Sequence, residues 1–146
     1  MFNKETEYAI RALVYIQVQN GESSRPGIEE IAKEIDAPKF YVAKILQRLV
    51  KQGVIQSIKG KGGGFYFEKD RAGITIKEII NLIEPSKDRQ ECGFGLKQCD
   101  ANNPCPFHDK YAPIRNSIDE LITSETVLTL AQKYILKTHR TVTESE

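Results

Sequence analysis

Nowhere does this chain run to eighteen consecutive apolar residues, so no segment is long enough to cross a bilayer as a helix. Its opening, MFNKETEYAI, is charged where a secretory leader would be apolar, which predicts no signal peptide, no membrane partner and a cytoplasmic protein. Cysteine is scarce: there are three, an odd number, and a reducing compartment does not favour disulfides. There is no nucleophilic triad, no phosphate loop and no paired-carboxylate cleft, and the glycines at 60–64 lack a Walker pattern, so the chain is not expected to be an enzyme. Internal repeats and low-complexity tracts are also missing. What remains is 146 residues, 40% hydrophobic and 28% charged, the make-up of one globular domain.

Net charge is only +1, but it is unevenly placed. Residues 1–38 carry four basic and seven acidic side chains, whereas residues 39–71 carry eight basic and two acidic. A block of net +6 within 33 residues is suited to a polyanion. Apolar side chains recur at helical spacing three times in the first third of the chain: Ala9, Ala12, Leu13 and Ile16; Ile28, Ile31, Ala32 and Ile35; Val42, Ile45, Leu46 and Leu49. The first stripe predicts a helix from about Lys4 to Gln19, and the third ends near Gly53, a candidate C-terminal cap. VIQSIK and GFYFEK, separated by GKGGG, then read as a β-hairpin. Thr75 and Glu78 form a capping box ahead of Ile76, Ile79, Ile80 and Ile83. An irregular stretch follows Pro85, and two further helices are expected, from about Ala112 to Thr123 and from Val127 to about Lys137, before a polar tail expected to fray.

Helix, helix, turn, helix, hairpin is the order of a winged helix-turn-helix. The fold expected is mainly α with a small β-hairpin wing and a C-terminal dimerisation helix. Residues 1–84 would form the DNA-binding region, 85–110 a cysteine loop, and 111–146 the dimerisation helix, final helix and tail of one compact domain. On the outer face of the third helix lie Phe40, Ala43, Lys44, Gln47, Arg48 and Lys51. The N-terminal side chains of such a helix meet base edges in the major groove, so Lys39, Tyr41 and Lys44 are candidates for base or phosphate contact. Gln47 suits a bidentate adenine contact, and Arg48 and Lys51 are expected at phosphates. In the wing, Gly60, Gly62, Gly63 and Gly64 would allow close backbone approach to a duplex, with Lys59 and Lys61 entering or flanking a minor groove.

All three cysteines fall in ECGFGLKQCDANNPCPFHDKY, spaced C-x6-C-x5-C-x2-H: Cys92, Cys99, Cys105 and His108. No C-x2–4-C zinc knuckle, redox C-x-x-C or haem C-x-x-C-H is present. Wide spacing in one loop suits ligands that reach separate irons of an iron–sulfur cluster, and three thiolates leave a fourth position open for a residue such as His108. A Cys3His zinc site and inert thiols are the alternatives.

The segments TEYAIRALVYI, IEEIAKEIDAPKFYVAKILQRLVKQGVIQSIKGKGGGFYF and TIKEIINLIE, together with the cysteine loop, resemble the IscR/NsrR-type iron–sulfur winged-helix regulators over nearly the whole chain, to about residue 136. The resemblance implies a bacterial, homodimeric transcription regulator that senses redox state, nitric oxide or iron–sulfur status. It implies a cluster held by Cys92, Cys99 and Cys105, completed in a two-iron form by His108, or in a four-iron form by Glu7 of the partner subunit. Both remain open. The x6 spacing is one residue longer than in the best-known members, and Ala43 stands where some carry an acidic residue. The expected partner is a near-palindromic double-stranded operator. The other functional classes are a zinc or thiol-redox regulator and a winged helix that binds protein.

Overall fold

The computed structural model describes residues 2–85, 94, 96 and 100–144, with residues 136–144 as backbone alone. Asn3 opens the first helix: its side-chain oxygen accepts from the Thr6 N–H at 2.8 Å, and α1 runs Lys4–Gly21. Its inward face, Ala9, Ala12, Leu13 and Ile16, is at most 1% exposed. Helices α2 (Ile28–Glu34) and α3 (Lys39–Lys51) follow, and their stripes close over α1. Gly53, at φ +79°, ends α3 as expected, because its left-handed backbone lets the Val54 N–H reach back to the Leu49 carbonyl at 3.0 Å.

The hairpin is short. Strands β1 (Gln56–Ile58) and β2 (Gly64–Tyr66) pair antiparallel with Ser57 opposite Phe65. Phe65, with Ile55 ahead of β1, plugs the wing into the core, and the Asn20 side chain holds the strand from the end of α1, accepting from the Phe67 N–H at 2.9 Å. The wing glycines answer to the backbone itself. A Cβ on Gly63 would lie 2.1 Å from the Ile58 carbonyl oxygen, and one on Gly64 2.2 Å from that of Arg25. Gly63 is thus required by the turn and Gly64 by the backbone between α1 and α2, whether or not a duplex approaches the wing.

A 3-10 turn at Arg71–Gly73, unforeseen in the sequence, leads to α4 (Ile76–Ile83). The Thr75–Glu78 capping box forms with both of its hydrogen bonds, at 3.1 and 2.8 Å. Helix α5 spans His108–Ser124, starting earlier than its apolar stripe indicates. Its beginning is set by backbone bonds from the His108 N–H to the Cys105 carbonyl and from the Tyr111 N–H to the Phe107 carbonyl. Helix α6 (Val127–Glu144) packs along α1, and its backbone continues past Lys137, where the sequence led to an expected end. Three helical stripes, a hairpin plug and the ends of α4 and α6 share one core, the order and packing of a winged helix. Among the described residues no helix is long and apolar enough to cross a membrane.

The starts of α4 and α6 are bolted together. The Ile76 N–H donates to the Glu125 carbonyl at 3.0 Å, and the Val127 N–H to that of Ile74 at 3.1 Å. Glu125 also accepts from the Thr129 hydroxyl at 2.7 Å and pairs with Lys133. Hydrogen bonding from Lys133, and then from Thr129, holds the Glu125 carboxyl below the usual carboxylate range. A carboxyl depressed in the folded state adds stability that is present above its unfolded pKa and is lost as pH falls through the folded value. Urea midpoints measured from pH 7 downward should therefore fall below the ordinary carboxylate range, and Glu125→Gln should flatten that fall while lowering the midpoint at pH 7.

Candidate nucleic-acid interface and cysteine loop

Because Val42, Ile45, Leu46 and Leu49 are buried, the opposite side of α3 faces outward. Lys39, Phe40, Tyr41, Lys44, Gln47 and Lys51 are all exposed there. Phe40 is 73% exposed, and the Lys44 ammonium lies 4.8 Å above its ring centroid. Tyr41 leans back instead, edge-on to Tyr8 of α1 at 5.6 Å. Lys39 meets Glu29 of α2 at 2.6 Å, and this hydrogen bond lowers the Glu29 carboxyl pKa. Both side chains are well exposed, so the pair adds little to stability.

The wing carries Lys59, Gly60, Lys61 and Gly62 on its exposed tip, with Gly63 half-buried behind them. Between wing and helices lies an open groove of about 880 Å³, lined by Ile28, Gln47, Val50, Ile58 and Phe65 among others. Five basic residues of the block are thus divided between two ridges, Lys39, Lys44 and Lys51 on the outer face of α3 and Lys59 and Lys61 on the wing tip, on either side of this groove. Glu29 and Glu30 form an acidic margin on α2.

Arg48 departs from the role expected for it. Its side chain is half-buried and turns toward α4 and α1. One guanidinium nitrogen donates to the Leu82 carbonyl at 2.8 Å and lies 3.4 Å from that of Ile83, while the other meets Glu5 at 3.3 Å. Leu82 and Ile83 form the end of α4, where helical carbonyls lack an intrahelical donor. Gln52 reaches the same Leu82 oxygen at 3.5 Å. Beside them the fully buried Thr6 donates its hydroxyl to Glu84 at 2.6 Å. Helix α3, the start of α1 and the root of the cysteine loop therefore meet at one polar knot. Spacing gave no sign of it, because its members lie 30 to 78 residues apart.

Of the expected metal ligands, Cys92 and Cys99 lie outside the described residues. Cys105 and His108 are joined by a tight turn, the His108 N–H on the Cys105 carbonyl at 3.1 Å. Asp100 shapes the approach to it, accepting from the Asn102 N–H at 2.9 Å. Phe94 and Phe107, which flank the candidate ligands in sequence, meet edge to face at 5.3 Å. Glu7 sits in the first turn of α1, its carboxylate 3.4 Å from Lys4 and 43% exposed. Among the described residues no three His, Cys, Asp or Glu side chains converge on one point. As a donor set, three thiols with an imidazole or a carboxylate fit an iron–sulfur cluster chemically.

On α5 the apolar stripe divides. Ile122 is fully buried and Ile118 packs against the core, whereas Ile114 (57% exposed) and Leu121 (49% exposed) face outward. Nη1 of Arg115 is buried without a hydrogen-bond partner among the described residues.

Comparison with known proteins is consistent with this geometry. The model of the Rrf2 family, described as an iron-dependent transcriptional regulator, matches residues 2–133. The chain is 30% identical over 145 residues to an Aquifex aeolicus protein named as an HTH-type transcriptional regulator, covering 96% of this chain and 99% of that one. It is 27% identical over 142 residues to the HTH-type transcriptional regulator IscR of Cronobacter sakazakii, covering 91% and 86%. Among solved structures it resembles CymR, the global cysteine regulator of B. subtilis, with a TM-score of 0.72 at 19% identity over 91% of this chain and 97% of that one.

The Arg48 knot separates residues that hold the fold from residues that face a ligand. Arg48→Ala should lower stability by about 1–3 kcal/mol in urea denaturation, since charged hydrogen bonds to half-buried carbonyls are lost. Arg48→Lys should recover little, because an ammonium cannot fork between Glu5 and Leu82. Lys51→Ala should leave the urea midpoint unchanged and reduce the salt slope of duplex binding by about one unit.

Proposed function

This chain belongs to the Rrf2 family of iron-dependent transcriptional regulators, and from that membership we propose that it is a homodimeric DNA-binding regulator whose grip on its operator is set by an iron–sulfur cluster in the 85–110 loop. The observation that carries the reading is the Arg48 knot. The loop leaves α4 immediately after Glu84, and the recognition helix α3 is held to that same point by Arg48. Whatever orders the loop acts on α3 through a few direct hydrogen bonds.

Cys92, Cys99 and Cys105 are the proposed thiolate ligands. His108, one turn beyond Cys105, and Glu7 of the partner subunit are the two candidates for the remaining position. When bound, the cluster supplies a group whose charge and integrity respond to oxidation, nitric oxide and iron supply. The protein side of the switch is local: the Phe94–Phe107 contact and the Cys105–His108 turn lie at the start of α5, and Thr6 and Arg48 would relay a change there to α1 and α3. Regulation then requires that the two loop states differ in DNA affinity.

The outward half of the α5 stripe, Ile114 and Leu121, is the proposed dimer seam, two large apolar side chains left in water on one helix face. Two α3 helices set about 34–36 Å apart would read a near-palindromic duplex through Lys39, Phe40, Tyr41, Lys44 and Gln47, with Lys51, Lys59 and Lys61 on phosphates. Gly60, Gly62 and Gly63 shape the wing that carries the last two.

Protein purified without oxygen should absorb in the visible and contain iron and sulfide. The variant with Cys92, Cys99 and Cys105 all changed to Ala should lose that absorption and bind its operator with altered affinity. Colourless protein containing zinc would assign the same ligands to a zinc site instead. Separately, Ile114→Glu combined with Leu121→Glu should convert a dimer to a monomer in sedimentation velocity and abolish high-affinity duplex binding.

A further inference from the structure

Phe40 is the most exposed large hydrophobic side chain among the described residues, and it is the second residue of the recognition helix. Its neighbours in that first turn each have a contact within the protein. Lys39 is drawn to Glu29 at 2.6 Å, and Tyr41 packs against Tyr8 at 5.6 Å. Lys44, one turn on, caps one face of the Phe40 ring at 4.8 Å, which steadies the ring and leaves its other face and edge in water. A single Phe exposed on a surface is ordinary, but this one stands where the N-terminal turn of α3 would reach base edges.

The major groove offers one apolar feature, the C5-methyl group of thymine. We propose that Phe40 is a specificity-determining residue that reads a thymine methyl in each operator half-site, with Lys44 as the residue that positions its ring. This rests on the DNA-binding reading above and deepens it, but it is independent of what the cysteine loop holds. A polar side chain at this point would ask for a donor or acceptor; Phe40 asks only for a methyl group to cover.

The test starts from a random-sequence duplex pool, from which the full chain purified without oxygen selects its tightest ligands. Each thymine of a selected duplex is then replaced in turn by deoxyuridine, which removes only the methyl group, and binding is measured by fluorescence anisotropy. At one thymine per half-site the native chain should lose about three- to fivefold in affinity. Phe40→Ala should bind the thymine duplex that much more weakly and show no further loss at the same position. Phe40→Leu should keep part of the methyl sensitivity. A native chain indifferent to every replacement, or a Phe40→Ala chain as sensitive as the native one, overturns the inference while leaving DNA binding intact. Enrichment of no duplex overturns the DNA-binding reading, and this inference with it.

Discussion

The guanidinium of Arg48 sets the relation between the parts of this molecule that matter for function. From the third helix it reaches the last carbonyls of α4 and the Glu5 carboxylate of α1, and so occupies acceptors that a helix end would otherwise leave to water. Thr6 adds a buried hydroxyl-to-carboxylate bond from the same turn of α1 to Glu84. The helix carrying the exposed lysines and the segment opening into the cysteine loop therefore cannot shift independently without breaking charged hydrogen bonds. Hydrophobic packing alone, being non-directional, would allow α3 to slide on its stripe; the Arg48 bonds specify one position.

Arg48 also illustrates how charge divides on this surface. The block between residues 39 and 71 attracts attention by its excess of basic residues, yet its members have different tasks. Arg48 is structural, Lys39 is balanced by Glu29, and Lys44 steadies an aromatic ring. Lys51, Lys59 and Lys61 remain exposed along the groove and the wing. A guanidinium suits the first task because its fixed fork satisfies several acceptors at once, and ammonium groups suit the others as hydrated, adjustable charges.

The cysteine loop is linked to this framework at both ends, by Glu84 at its start and by the Cys105–His108 turn at its close. The proposed regulatory logic follows from that attachment. In that proposal the loop takes its order from what its thiols bind, and the Arg48 knot carries that order to α3. Members of one fold can host different chemistry in such a loop, so the assignment depends on the donor set and not on the architecture.

Local interactions were legible in the sequence. The three helical stripes, the Thr75–Glu78 box, the Gly53 terminus and the hairpin all arise between residues a few positions apart, and periodicity reports such contacts directly. The clustering of three cysteines and a histidine was equally plain. Tertiary structure alone decided the role of Arg48, the committed partners of Lys39 and Tyr41, and the division of the α5 stripe into a buried and an exposed half. It also decided that Gly63 and Gly64 answer to the Ile58 and Arg25 carbonyls. The reason is the same in each case: these interactions join residues distant along the chain, and whether a polar side chain turns inward or outward depends on acceptors that only folding brings beside it.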